Sequence, residues 1–320
     1  MKSLDRQRGA EWPQWVDAET VLRIDSLDLR ARIIVEGFLS GLHKSPYHGF
    51  SVEFSEYRAY VPGDDLRYLD WKLFARSDRQ YIKRFEDETN VRCQLLVDLS
   101  RSMGFGHERR PKSEYAVTLA ATLARFLATQ RDAVGLVTFD EDVTDYLPAR
   151  HRPGHLQRLL LALERATAGE HTGLVRSLEH VAGLVRKRGV IVLISDLLAP
   201  LDGLDVALAQ LSARGHEVIV FRVLDPAEVD FPFEQAARFE DLETGQAFYV
   251  DPKLARADYS ERFQEHQRGL ERICSRHGID LVPWTTDRPL VDSLYEYLQA
   301  RQRRGRTVLR RRAESSGGGA

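Results

Sequence analysis

Cysteine is scarce: Cys93 and Cys274 are the only two in 320 residues. Two such distant residues do not make a disulfide framework. Both fall in apolar or helical patterns, where a free thiol ordinarily behaves as a small buried apolar group, and this fits a reducing compartment. Long apolar runs are also missing. No window approaches the roughly 18 apolar residues of a membrane-spanning helix. The N-terminal stretch MKSLDRQRGAEW has charges with no apolar run behind them, unlike a secretory signal. These absences point to the cytoplasm. There is no glycine-rich phosphate loop ending in lysine, so the chain is not expected to be an ATPase itself. No internal repeat and no heptad array is visible.

What is present describes a folded chain. Hydrophobic residues make up 43% and charged residues 29%, which excludes fibrous, low-complexity and wholly disordered classes. The length suits about two domains at about 150 residues each. The formal net charge of -2 divides unevenly. Residues 301–320 hold seven arginines against Glu314, for +6, while the first 300 residues carry -8. An acidic body argues against a nucleic-acid surface on the core. The basic end reads as a plain flexible tail, the alternative being a contact with an anionic surface.

The order of elements suggests four regions. Residues 1–16 are polar and expected to be flexible. Residues 17–90 form a helical and irregular segment expected to pack on the main domain, opening with one or two helices over 17–43. A turn at Pro62-Gly63-Asp64-Asp65 is followed by a short helix through Lys72, and then by a strand over 79–87. Residues 91–300 form the main domain, and 301–320 the tail. Within the main domain the apolar runs predict strands over 92–97, 133–139, 190–194, 217–224 and 279–282, with a returning edge strand near 142–147. Short strands are expected around 238–242 and 246–250. Helices are predicted over 112–129, 154–168, 173–188, 201–214, 258–277 and 289–301. Strands that alternate with helices and read as unbroken apolar runs belong to a mostly parallel sheet covered on both faces.

In such a sheet, ligands bind beyond the carboxyl ends of the strands, where the strand order reverses. The first main-domain strand ends in Asp98-Leu99-Ser100-Arg101-Ser102, so a carboxylate and two alternating hydroxyls converge on a tight loop. Such hard oxygen ligands suit magnesium or manganese rather than zinc or copper. Asp196 ends another strand at the equivalent position, and Thr172 lies in the loop Gly169-Glu170-His171-Thr172-Gly173. The plainer alternative is that Asp98 caps the next turn and the serines are ordinary turn hydroxyls. A nucleophilic set drawn from Ser100, His171 and Asp196 lacks the Gly-x-Ser-x-Gly elbow. A magnesium-dependent phosphoester hydrolase remains an alternative, although the spacing puts hydroxyls where a phosphatase usually has a second acid.

Asp98-x-Ser100-x-Ser102 with Thr172 and Asp196 resembles the complete metal-ion-dependent adhesion site of a von Willebrand factor A domain. Arg58-Ala-Tyr60-Val-Pro62-Gly63-Asp64-Asp65-Leu-Arg67-Tyr-Leu-Asp70-Trp71-Lys72, followed by Ala75-Arg76, resembles the signature of the family called domain of unknown function 58. So do Gly135–Phe139, Ile194–Leu197, Asp225–Glu228 and Asp241–Thr244. The resemblance runs from about residue 35 to about residue 300.

It implies an α/β fold, a doubly wound, mostly parallel six-stranded sheet in order 3-2-1-4-5-6 with an antiparallel edge strand near Asp142. It also implies a Mg2+ or Mn2+ site in which Ser100, Ser102 and Thr172 are ligands and Asp98 and Asp196 hold waters. A partner's acidic residue fills the open position. The implied function is a non-enzymatic binding or adaptor module, a companion of MoxR-type AAA+ ATPases, the other alternative being a purely structural assembly protein. Arg58, Asp64, Asp65, Trp71, Lys72 and Arg76 are the candidate docking residues of the N-terminal segment. Internal ion pairs are the competing account of the same charges.

Overall fold

The structure is a computed structural model that describes residues 21, 23–44, 57–59, 81–83, 91–106, 110–166, 169, 173–240 and 246–301. Contacts divide the chain into two units, residues 43–90 and the remainder. In the smaller unit, Tyr57–Ala59 (β1) and Tyr81–Lys83 (β2) form an antiparallel pair with Arg58 opposite Ile82. The strand expected over 79–87 is present at its centre, while β1 carries no sequence signal long enough to announce it. Asp64, Asp65, Trp71, Lys72 and Arg76 lie outside the described residues, as does the side chain of Arg58.

The larger unit begins its regular structure with Leu27–Lys44 (α1). Ser26 precedes it, its Oγ accepting from the Leu29 N–H at 3.3 Å, a local stop for any helix approaching from the N-terminal side. The sequence grouped this helix with residues up to 90. In the fold, Leu27, Ala31 and Ile34 join the core of the sheet domain.

The chain then alternates. Arg92–Asp98 (β3) leads through a 3-10 turn at Arg101–Gly104 to Lys112–Thr129 (α2) and Ala133–Phe139 (β4). Val143–Arg150 (β5) turns back beside β4. Next come His155–Arg165 (α3), Leu174–Leu184 (α4), Val190–Ser195 (β6), Leu201–Ala213 (α5) and Glu217–Leu224 (β7). Pro226–Asp230 (α6) precedes a hairpin of Ala237–Glu240 (β8) and Ala247–Val250 (β9), followed by Pro252–His277 (α7) and Asp280–Thr285 (β10). A last helix runs over 290–301 (α8).

The main sheet has six strands in the order β10-β7-β6-β3-β4-β5. Counted along the chain within this sheet, that is 3-2-1-4-5-6, as expected. β5 is antiparallel to β4, and the other neighbours are parallel. The period-two geometry of a strand sends alternate side chains to opposite faces. In β6, Val192 and Ile194 enter the core shared with α1, α2, α3 and α8, while Ile191 and Leu193 enter the core shared with α4, α5 and α7. This is why these strands are apolar without interruption: both faces are covered. Burial of each such Leu, Ile or Val side chain contributes about 1.5–3 kcal/mol. Cys93 and Cys274 are buried free thiols, one in each core.

α7 starts six residues before the predicted position. Its first turns are polar, so apolar periodicity misses them. Asp251 is the cap, its Oδ1 accepting from the Lys253 N–H at 3.0 Å, with Pro252 at the first helical position. Asp251→Ala is expected to lower stability by about 1 kcal/mol. Urea denaturation should show this as a lower midpoint with an unchanged slope.

Candidate functional site

β3 is the first strand of the sheet, β4 lies on one side of it and β6 on the other. The order of strands therefore reverses between β3 and β6, and the crevice of a doubly wound sheet opens at their carboxyl ends. Asp98 closes β3, and Asp196 follows the last residue of β6. The two predicted carboxylates are brought together there.

Asp98 is fully buried, at 0% exposure. Its Oδ1 accepts from the Ser100 N–H at 2.8 Å, and its Oδ2 accepts from the Ser195 hydroxyl at 2.5 Å. Among the described residues it has no cationic partner. Burial, followed by the nearby charge of Asp196, pushes its carboxyl up to about 6, against the pull of the Ser195 and Ser100 hydrogen bonds. Ser100 and Ser102, two residues apart on the turn, face each other with Oγ atoms 3.1 Å apart.

Asp196 is differently placed. Its Oδ1 accepts from the Leu198 N–H at 3.0 Å, and its Oδ2 accepts from Lys112 Nζ at 2.8 Å. Leu197 between them takes a left-handed backbone, with φ 53°. For a branched residue this conformation costs about 1–2 kcal/mol. It is offset by complete burial of the leucine side chain and by the Ser195 hydroxyl, which accepts the Leu197 N–H at 3.0 Å. Ser195 thus ties the turn after β6 to Asp98 on β3.

Lys112, at 0% exposure, begins α2. Its ammonium is shared between Asp196 and Glu228 and lies 5.9 Å from the Phe105 ring centre. Burial opposes the charge, but the two carboxylates outweigh it and raise the lysine pKa. Burial raises Glu228 as well, against the pull of Lys112. Glu228 also closes the capping box of α6, its Oε2 accepting from the Asp225 N–H at 2.8 Å. Arg222, buried in β7, donates from Nε to the Asp196 carbonyl at 2.9 Å and lies 5.4 Å from the Phe263 ring centre.

Thr172 and His171 lie outside the described residues, but both flanks of their loop are described. The Gly169 N–H donates to the Leu99 carbonyl at 2.6 Å. A Cβ on Gly169 would strike the Asp140 carboxylate, and one on Gly173 would lie 2.6 Å from the Glu141 carbonyl. Only glycine permits these approaches beside the Asp98–Ser102 turn. On another side, Arg101 pairs with Glu240 at 3.8 Å, linking β8 to the serine turn.

Lys112, Ser195, Arg222 and Glu228 were not among the residues selected from sequence. Lys112 did carry a signal, because it shares the helical stripe of Tyr115, Leu119 and Leu123, where a lysine is out of place. Arg222 likewise interrupts an apolar strand, and Glu228 completes the Asp-x-x-Glu pattern of a capping box.

The model of a family described as "Protein of unknown function DUF58" matches residues 56–269. The chain belongs to the DUF58 family. An uncharacterized protein of Mycobacterium tuberculosis is 28% identical over 292 residues, covering 90% of this DUF58 chain and 91% of the relative. Among solved structures, the conserved hypothetical protein BatB of Bacteroides thetaiotaomicron aligns with a TM-score of 0.43 at 16% identity, over 66% of this chain and 98% of the other. An aerotolerance-related membrane protein of Bacteroides fragilis aligns with a TM-score of 0.44 at 18% identity, over 66% and 97% of the two chains. The sheet order is the 3-2-1-4-5-6 that the resemblance to a von Willebrand factor A domain implied. Among the described residues, no helix of this DUF58 protein is long and apolar enough to cross a membrane.

The implied divalent ion can be tested against these side chains. No group of three or more His, Cys, Asp or Glu among the described residues is placed to hold a metal. The candidate set is instead rich in hydroxyls: Ser100 and Ser102 beside a buried carboxylate without a cation. That half fits a hard cation. Asp196 carries an ammonium already, so its share in the site is a competition between cations.

Proposed function

We propose that this protein is a non-catalytic binding module that uses the loops beyond β3 and β6 to take an acidic side chain of a protein partner through a magnesium-type ion. Ser100, Ser102 and Thr172 would hold the ion, and Asp98 and Asp196 would support it through water. When bound, the ion supplies a positive charge that bridges carboxylates which otherwise repel. The observation that carries this reading is Asp98: a fully buried carboxylate, without a cation among the described residues, beside two paired serine hydroxyls. The family resemblance suggests a MoxR-type AAA+ ATPase as partner, in a chaperone-like role. Two buried thiols suit a reducing cytoplasm.

A hydrolase is less well supported. Among the described residues, both Asp196 carboxylate oxygens are taken by Leu198 N–H and Lys112, and neither orients an imidazole. Calorimetric titration with magnesium tests the metal: the wild type should bind one equivalent, and the Ser100→Ala/Ser102→Ala double variant should not. Capture of a purified MoxR-type ATPase should then fail in chelator and with Asp98→Ala. Equal capture in all conditions would remove the metal-bridged contact.

A further inference from the structure

We infer that Lys112 is the internal counter-cation of this site and sets how strongly the site takes a divalent ion. The inference rests on the metal-bridged reading and names the residue that regulates it.

Lysine is among the residues least often buried, because its compact ammonium is strongly hydrated. Here it is wholly buried, its backbone N–H donating to the Phe105 carbonyl at 2.9 Å. Its neighbours do not need it as a cap. The Asp225 carboxylate already takes the Ala227 N–H at 2.8 Å, Glu228 already takes the Asp225 N–H, and the Tyr259 hydroxyl donates to the Glu228 carbonyl at 2.7 Å. What Lys112 adds is positive charge between Asp196 and Glu228. Arg222, the other buried cation here, hydrogen-bonds Asp196 only at its backbone carbonyl, so its charge acts on Asp196 and Glu228 without a side-chain hydrogen bond to either. Of the three carboxylates at this site, Asp196 and Glu228 share the ammonium, and the fully buried Asp98 is left without it.

Two substitutions move this balance in opposite directions. Lys112→Met removes positive charge next to the site and should tighten magnesium binding. Glu228→Gln leaves the ammonium to Asp196 alone, removes a negative charge, and should weaken it. Charges this close in a buried setting interact strongly enough for a change of about tenfold in Kd each way. A cap or packing role for Lys112 predicts no such opposition.

The experiment is calorimetric titration of the full chain with magnesium chloride for wild type, Lys112→Met and Glu228→Gln, with Asp98→Asn as the control lacking the site. Circular dichroism confirms folding in each case. Tighter binding by the first variant and weaker binding by the second supports the inference. Binding by Lys112→Met when the wild type binds nothing measurable supports Lys112 as the counter-cation but overturns the metal-bridged reading of the native protein. Unchanged Kd in both variants overturns the inference while leaving the metal reading intact. If Lys112→Met does not fold, an unshifted Kd in Glu228→Gln is enough to overturn it. Binding by none of the proteins overturns the metal reading, and the inference with it.

Discussion

Lys112→Ala is expected to lower the stability of the folded chain by about 3–5 kcal/mol, because it leaves buried acids without their cation. Asp196 and Glu228 both face the ammonium, with side chains almost or largely out of solvent. Truncation strands two carboxylates at once and opens a cavity beside Phe105. The measurement is equilibrium unfolding in urea at neutral pH, where the midpoint should fall and the slope should hold. Neutralising the stranded acids separates charge from packing. In the triple variant Lys112→Ala/Asp196→Asn/Glu228→Gln most of the loss should be recovered. A triple variant as unstable as the single one would assign the effect to the cavity instead.

Asp98→Asn should do the reverse and stabilise the protein in chelator at pH 7, by roughly 2–3 kcal/mol. The Asp98 carboxyl is raised in the fold to about 6, chiefly by burial and then by Asp196. In the unfolded chain it titrates at the ordinary aspartate value, near 4. Between those values the folded state holds the proton that the unfolded state has lost. Stability is therefore highest below about pH 4 as far as this group is concerned, and falls as pH rises through 6. The wild type should show that descending step in melting temperature, and Asp98→Asn should lack it. At about 2–4 °C per kcal/mol for a chain of this class, the difference at pH 7 is well within calorimetric reach.

Magnesium should change this order. An ion held at one hundred times its Kd adds about 2.7 kcal/mol to the protein that binds it. The wild type should gain by that amount, and Asp98→Asn should not. If Asp98→Asn gains as much as the wild type, Asp98 does not belong to the ion site. That outcome would mark Asp98 as a carboxylate retained at a cost to stability, the pattern expected of a binding group rather than a cap. A cap would have made the asparagine variant less stable, since both oxygens of Asp98 accept hydrogen bonds.

Much of the fold was legible in the chain. Strands such as 133–139 and 217–224 were read to the residue, because strands covered on both faces must be apolar throughout, and few other elements look like that. Helix ends were less secure. α3 and α4 stop at Arg165 and Leu184, short of the predicted 168 and 188, where the periodic pattern continues but the chain turns away. α7 begins early because its first turns are set by the Asp251 cap rather than by apolar spacing. The first helix was expected to pack on the main domain, but the partners it packs with were not legible: Arg30 reaches Thr118 at 2.9 Å and Glu114 at 3.2 Å, 84 to 88 residues away.

By itself the sequence determined which strands form the sheet and where a polar crevice must open. Asp98 and Asp196 each end an apolar strand, and that position is encoded locally. The tertiary structure alone decided what those carboxylates face. Lys112 lies 84 residues from Asp196 and 116 from Glu228 in the chain, yet the three side chains meet within hydrogen-bonding distance. No spacing rule connects them, because the contact depends on how α2, β6 and α6 converge at one end of the sheet. Local patterning can place a charge at a strand end, but the neighbour that neutralises it is chosen by packing.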